Sequence, residues 1–311
     1  MSGSPHAGRP RGPKHYLLAG QVIEPPALAP GLHVVATPIG NLRDVTLRAL
    51  DLLAGADLIA CEDTRITRRL LDHYGIKTEM TRYDDHNAEL ARPRLLDALA
   101  AGLRVALASD AGTPLISDPG YKLVRAAHEA GHPVSAAPGP SAVLMALAVA
   151  GLPTDRFLFD GFLPAKPGPR RARIATLKSV PATLVLFETA PRLKASLDAL
   201  AEGLGTRPAA VCRELTKVHE EVVRDDLFGL ARRYAQAPSP PRGEIVIVVA
   251  PPADEEAALA LETVDAWLRQ ELASRSVKDA VEDVAARSGR PRREIYRRAL
   301  ALKQARDAGA P

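Results

Sequence analysis

Residues 103–120 read LRVALASDAGTPLISDPG. Apart from Arg104, the first six form an unbroken apolar run, the pattern of a strand buried on both faces of a parallel sheet. The run ends on Ser109-Asp110, and the ten residues that follow include two glycines and two prolines, which stop regular structure. In open α/β sheets, ligands bind beyond the carboxyl ends of strands. Small loop residues there let main-chain N–H and C=O groups face a ligand directly.

The same design repeats on either side. LHVVAT (32–37), DLIAC (57–61) and PVSAA (133–137) read as further strands, and helical patterns fall near 46–54, 64–73, 87–101 and 118–130. This alternation predicts an α/β domain with a mostly parallel sheet over residues 31–152. Two more strands end in loops of small residues, TPIGN (37–41) and PGPSA (138–142). AGLPTDR (150–156) breaks the pattern. FLFDGFL (157–163), TLVLFE (183–188), AAVCREL (209–215) and EIVIVV (244–249) then predict a second α/β domain over 153–250.

PPADEE (251–256) reads as a linker. In SVKDAVEDVAARSG (276–289), Val277, Ala280, Val281, Val284 and Ala285 share one helix face, which Gly289 closes at the C′ position. Pro291 opens a second, basic helix. Residues 251–311 are therefore expected to form a linker and a small helix-turn-helix-like appendage. Residues 1–30 hold six prolines, four glycines and scattered bases, a composition that predicts a disordered N-terminal extension.

Hydrophobic residues make up 46% of the 311, enough for a sizeable core, but only 4% are aromatic, so that core must be aliphatic. The formal charge of +4 is compatible with a nucleic-acid partner. Cys61 and Cys212 are the only cysteines, which argues against a disulfide framework or a zinc site and points to a reducing cytoplasm. No run approaches the roughly 18 apolar residues of a membrane span. No GxGxxG follows a strand, and no GxxxxGK[ST] occurs, which disfavours Rossmann dinucleotide and P-loop enzymes.

TPIGNLRDVTLRAL, ACEDTRITRRLL, SDAGTPLISDPGYKLV, PGPSAVLMAL and GLPTDRFLFDGFLPAK, taken together, resemble the bacterial tetrapyrrole-methylase superfamily, and within it the branch that methylates small-subunit ribosomal RNA. The resemblance covers roughly residues 32–250 in motif order and extends to the helical tail. It implies a two-domain class III methyltransferase fold with S-adenosylmethionine in the cleft between the domains, and a homodimer. The implied reaction is methylation of a cytidine ribose 2′-oxygen in the decoding region of 16S rRNA. The substrate would be free rRNA or the assembled 30S subunit.

The resemblance also implies the site. Pro38 and the run Ser109, Asp110, Ala111, Gly112, Thr113 and Pro114 match the principal cofactor loops, and Ser141 and Ala142 match a second contact. Related members carry a Gly-Asp-Pro form where this chain has the longer Asp-Ala-Gly-Thr-Pro form. Phe162, Leu163, Glu214 and Leu215 fall where the second domain would line the adenine, and Gly243, Glu244 and Ile245 match the last strand's approach to the ligand.

Methyl transfer is a displacement at a sulfonium-bound carbon, for which the cofactor carries the reactivity and the protein supplies alignment. A ribose hydroxyl is a weak nucleophile and gains from a nearby base or acceptor. Glu62, Asp63 and Lys217 are the leads for that end; Asp84, Asp85, His86, Glu188 and Glu214 are further candidates, with helix capping the expected role of Asp85. RNA contacts are expected from Arg65, Lys166, Arg170, Arg171, Arg173, Arg213, Arg292 and Arg293. Two other readings stay open: a tetrapyrrole C-methyltransferase on the same scaffold, and a non-enzymatic nucleic-acid-binding regulator.

Overall fold

The computed structural model describes residues 14–117, 120–239, 241–288 and 290–308. The chain divides into two compact units, residues 1–145 with 214–220, and residues 146–213 with 221–311. The division therefore falls earlier than the expected boundary at 152, and a short loop from the later half belongs to the first unit.

The first unit opens with a hairpin, β1 (Tyr16–Leu18) and β2 (Gln21–Ile23). It continues β3 (Gly31–Val35), α1 (Leu47–Gly55), β4 (Leu58–Cys61), α2 (Thr64–His73), β5 (Met80–Arg82), α3 (Ala88–Ala100), β6 (Arg104–Ala108), α4 (Tyr121–Glu129) and β7 (Val134–Ala137), and the chain passes into the second unit within α5 (Ala142–Ala150). The five main strands form an all-parallel sheet of order β5-β4-β6-β3-β7. Both faces are covered, as the continuous apolar runs require. In β4, Ile59 and Cys61 pack with Leu50, Leu53 and Leu71 on one face, whereas Leu58 and Ala60 pack with Leu95, Leu99 and Leu123 on the other.

The expected disorder of residues 1–30 does not hold for the described part. The apolar stretches YLL and QVI pair across Ala19-Gly20, whose φ values of 50° and 81° make the two-residue turn typical of hairpins. Tyr16 is buried and donates to Asp51 at 3.0 Å. Lys14 bonds Asp57 at 2.8 Å, and Arg104 bonds both oxygens of the same carboxylate at 2.7 and 2.8 Å. The part of the extension before residue 14 lies outside the described residues.

Burial alone would raise the Asp57 carboxyl, but the bonds from Arg104 and Lys14 outweigh it and hold the group far below the ordinary carboxylate range. A folded-state value lower than the unfolded one means a stabilising contribution that is complete above about pH 4 and lost as pH falls below it. Asp57→Asn is expected to cost about 2–3 kcal/mol at neutral pH. This lies at or below the low end for fully buried pairs, because the two cations keep 27% and 29% of their side chains exposed. Urea unfolding at pH 7 and pH 3 checks this: the wild type should lose part of its advantage over the variant at pH 3, and the rest only at still lower pH, where the folded carboxyl itself takes up a proton.

The second unit comprises β8 (Phe157–Phe162), α6 (Pro167–Leu177), β9 (Thr183–Thr189), α7 (Leu193–Leu204), β10 (Pro208–Arg213), β11 (Glu221–Asp226), α8 (Leu227–Ala235), β12 (Glu244–Val249), α9 (Asp254–Leu272), α10 (Val277–Ser288) and α11 (Arg292–Ala308). Its sheet has the order β11-β10-β12-β9-β8; only β8 and β9 are parallel. Leucines of α6, α7 and α8 cover one face.

The linker read at 251–256 is shorter than expected, because α9 begins at Asp254. The appendage therefore has three helices rather than two. Val264 and Leu268 of α9 pack with Val281, Val284 and Ala285 of α10 and Ile295 and Ala299 of α11, so the helix face expected on α10 is the one that is buried. The Gly289 cap lies outside the described residues. No described helix is long and apolar enough to cross a membrane.

Candidate functional site

Sheet register places the functional loops side by side. Val35 pairs with Ala108 and with Ala137, and Ala108 pairs with Cys61. Four adjacent parallel strands therefore end at one level, and the chain leaves them at Ala36, Glu62, Ser109 and Pro138.

Main-chain bonds stitch these loops together. Thr37 and Gly112 exchange N–H···O=C bonds of 2.9 and 3.0 Å, the Thr37 hydroxyl donates to the Ser109 carbonyl at 2.9 Å, and the Thr113 hydroxyl donates to the Pro140 carbonyl at 3.1 Å. A Cβ on Gly139 would lie 2.9 Å from that of Ala36, so only glycine permits this approach. Leu115 and Ser117, with φ of 73° and 57°, hold left-handed conformations unusual for such residues. Backbone strain of this kind persists where surrounding structure enforces it, often at ligand sites.

Asp110 is the carboxylate at the centre of this group. One oxygen accepts the Asp63 N–H at 3.0 Å. Burial lifts its carboxyl above the usual range, with the charges of Glu62 and Asp63 pushing the same way against that one hydrogen bond. Among the described residues no cation pairs with Asp110, so a bound ammonium would satisfy a charge that the protein itself leaves uncompensated.

Asp63 is differently engaged. Its side chain caps α2 by accepting the Arg65 N–H at 2.8 Å and also binds the Arg65 guanidinium. These bonds lower its carboxyl to about 2. Asp63 thus holds the loop and Arg65 together, which takes it out of the set of candidate proton acceptors. In the YDDHN stretch Asp84 accepts the main-chain N–H groups of His86 and Asn87 in the turn before α3, whose N-cap is Asn87, whereas Asp85 is exposed and is not the cap.

The loop 214–220 joins the first unit beside TPIGN. The Lys217 stem lies along Gly40: a Cβ there would meet its Cγ, Cε and Cδ, the latter two at 2.5 and 2.9 Å. The Lys217 ammonium bonds Glu214 at 2.8 Å. Glu214 and Thr216 have φ of 50° and 67°, and the Thr216 N–H donates to Glu220 at 2.5 Å. Left-handed backbone is a genuine outlier for a β-branched residue such as Thr216. Sequence reasoning found Lys217 and Glu214 but not Gly40, whose partner is far away in the chain.

The second-unit residues gather at one end of the strands of their own sheet. Phe162 ends β8 opposite Phe187, Ile245 pairs with Glu188 and Arg213, and Gly243 and Glu244 lead into the same strand end. Leu163 is buried, whereas Phe162 is 50% exposed and touches Phe187 edge-on. Glu188 is a buried anchor: it accepts from Thr189 N at 2.7 Å and from Ser196, and it pairs with Arg192, which in turn bonds the Leu163 carbonyl. These contacts fix that strand end.

The cations expected to meet RNA divide into two groups. Arg170 is 7% exposed and is withdrawn from the α6 surface. Arg173 binds Asp160, Arg213 binds Glu221 at 3.1 Å, and Arg292 binds Glu282 at 3.0 Å. Lys166, Arg171 and Arg293 are exposed and form no ion pair among the described residues.

Comparison with known proteins agrees with this geometry. The family model for tetrapyrrole (corrin/porphyrin) methylases matches residues 31–231, and a model described as the RsmI C-terminal HTH domain matches residues 253–303. Among solved structures, cobalt precorrin-4 methyltransferase has a TM-score of 0.54 at 18% identity, covering 70% of this chain and 94% of that one. Diphthine synthase has a TM-score of 0.54 at 16% identity, covering 75% and 94%. These two likenesses concern the fold alone. Curated relatives named ribosomal RNA small subunit methyltransferase I include that of Mesorhizobium japonicum, 51% identical over 91% of this chain and 95% of the relative. The Erythrobacter litoralis protein is 50% identical over 89% and 96%. With such identity along nearly the whole chain, the protein belongs to the tetrapyrrole methylase superfamily and, within it, to the ribosomal RNA small subunit methyltransferase I family.

Proposed function

We propose that the chain is an S-adenosylmethionine-dependent methyltransferase of small-subunit rRNA, acting on the ribose 2′-oxygen of a cytidine. The observation that carries the reading is the identity of about half the residues to relatives named as small-subunit rRNA methyltransferases, over almost their whole length; the cytidine 2′-oxygen is what the family resemblance implies. The site fits the cofactor on its own terms. Asp110 offers a half-buried carboxylate with no described cation, suited to the ammonium of the donor's amino-acid portion. Ser109 to Pro114, with Pro38 and Ser141-Ala142, supply main-chain donors and acceptors at aligned strand ends. The cofactor supplies an electrophilic methyl group.

The protein's part is alignment, and holding reacting groups near attack distance can contribute about 7–11 kcal/mol. Glu62 is the proposed acceptor for the hydroxyl proton, and Lys217, held as an ammonium by Glu214, is a donor that orients the RNA. Phe162, Leu215 and the Gly243–Ile245 strand end are the proposed adenine-side surfaces. Lys166, Arg171 and Arg293 are the proposed phosphate contacts. The chain is further proposed to work in the cytoplasm as a homodimer, which light scattering at twice the 33.1 kDa chain mass would reveal.

The test uses purified protein with labelled S-adenosylmethionine and either protein-free small-subunit rRNA or the assembled subunit. A 2′-O-methyl group blocks alkaline cleavage at its own nucleotide, because the neighbouring hydroxyl is the internal nucleophile. One labelled cytidine in an alkali-resistant dinucleotide is expected. Label on a base, or in fully alkali-labile nucleotides, rejects the ribose assignment.

A further inference from the structure

Residues 254–308 carry eleven acids and eleven lysines or arginines, so the appendage is not basic as a whole. The bases are unevenly spread: six arginines and a single acid lie between Arg287 and Arg298. That segment spans the turn from α10 to α11, and beside it lies a cavity of about 400 Å³.

The cavity is lined by Lys178 at the end of α6, Arg207 before β10, and Arg287 and Arg290 from the turn. No carboxylate lines it among the described residues. Arg207 is 4% exposed, and its orientation is set by a bond to the Lys178 carbonyl at 2.5 Å. Arg290 pairs with Glu294. The Arg287 guanidinium lies over the Trp267 ring, 4.0 Å from its centroid. Neither Lys178 nor Arg287 forms an ion pair among the described residues.

Lys178 and Arg287 bring charge to this cavity without an ion pair among the described residues, and an anion there would meet both. Arginines recognise phosphate by charge-assisted, often paired hydrogen bonds. The volume exceeds that of a phosphate ion and falls in the range of small-ligand pockets, so more than an isolated anion fits. The wall also has an aromatic ring, on which nucleic-acid bases stack. Exposed Arg171 and Lys178, at i and i+7, fall on one face of α6, which favours a phosphate in a long chain over a free nucleotide.

We infer that this pocket seats a backbone phosphate of the ribosomal RNA, with its nucleoside beside the Arg287–Trp267 pair. The appendage thereby supplies a substrate contact of its own. The inference rests on the rRNA reading above. Trp267 is the only tryptophan in the chain, so its emission reports on the pocket directly.

The full-length protein is titrated with protein-free small-subunit rRNA while emission and binding are followed across a salt series, with inorganic phosphate as a separate arm. The emission should change with the same midpoint as binding. Lys178→Gln with Arg287→Gln, both at exposed positions, should weaken RNA binding about five- to tenfold and lower the salt slope by about one. S-adenosylmethionine affinity should stay unchanged, and Lys178→Arg should retain RNA binding. RNA binding with silent Trp267 emission and an unchanged salt slope overturns the pocket while leaving the rRNA function standing. So does an emission change driven by inorganic phosphate that RNA cannot compete away. A wild-type chain that binds no rRNA overturns both readings.

Discussion

Asp110→Asn is expected to weaken S-adenosylmethionine binding by 10- to 100-fold while leaving the ligand-free protein at least as stable as the wild type. Two opposite consequences of one charge produce this result. Without ligand, the Asp110 carboxylate is desolvated, stands near Glu62 and Asp63, and accepts one main-chain bond. Its value is raised, so ionisation costs stability above that value, and an amide of the same shape removes the cost. With ligand, the same carboxylate meets an ammonium. A charge-assisted bond contributes about 1.5–3 kcal/mol, or roughly 10- to 150-fold in affinity.

The pH dependence has a definite sign. Affinity for the wild type should fall as pH drops through the raised Asp110 value, earlier than an ordinary carboxylate would dictate, and the variant should show no such step. Calorimetric titrations from pH 8 to pH 5, with thermal unfolding of both ligand-free proteins, measure both halves. Unaltered affinity in the variant removes Asp110 from the site; a loss of affinity that follows a loss of stability makes the residue structural instead.

Gly40→Ala should lower kcat/KM at least tenfold, about as much as Lys217→Gln, with little effect on cofactor affinity. The Lys217 stem runs through the space that a Cβ at position 40 would fill. Position 40 also has a φ of 156°, where a side chain adds strain. Some of that cost, about 1–2 kcal/mol, will appear as stability. The rest acts through displacement of Lys217 from its place beside Glu214. If so, the double variant should be no worse than either single one, because both remove the same interaction. Additive losses in steady-state kinetics would mean that Gly40 matters for loop shape alone.

Much of the first unit was legible because its three central strands, β3, β4 and β6, are buried on both faces. LRVALA and DLIAC carry no polar alternation to confuse them, and Asp63 before Thr64 marks the start of α2, which runs over the expected 64–73. Three features escaped for physical reasons. EVVRDD, an edge strand that exposes much of its length, looks like a polar loop, and MTR is too short to show a period. Pro251-Pro252 suggested a linker, yet prolines just before a helix are compatible with its start, and α9 begins two residues later. In residues 14–30 proline content concealed a hairpin whose only local signal is Ala19-Gly20 between two apolar triplets.

The candidate site was legible as a set of loops rather than as a geometry. Small residues after strands marked Ser109 to Pro114, Pro38 and Ser141, and register explains why they meet. What no local pattern conveys is which charges are already engaged. Asp63 and Arg65 satisfy each other, Arg173 is held by Asp160, and Arg170 turns inward, although all stood as candidates by residue type. Lys217 reaches Gly40 only because the 214–220 loop returns to the first unit.

The central claim is that aligned ends of β3, β4, β6 and β7 hold the methyl donor mainly by main-chain atoms, with Asp110 as the charged contact. A crystal structure with S-adenosylhomocysteine bound tests it most directly. The donor's amino group should lie within hydrogen-bond distance of Asp110, and other polar groups of the ligand should meet main-chain atoms of residues 37–38, 109–114 and 138–142. Well-defined ligand density remote from these loops, with Asp110 unchanged in its contacts, would contradict the account.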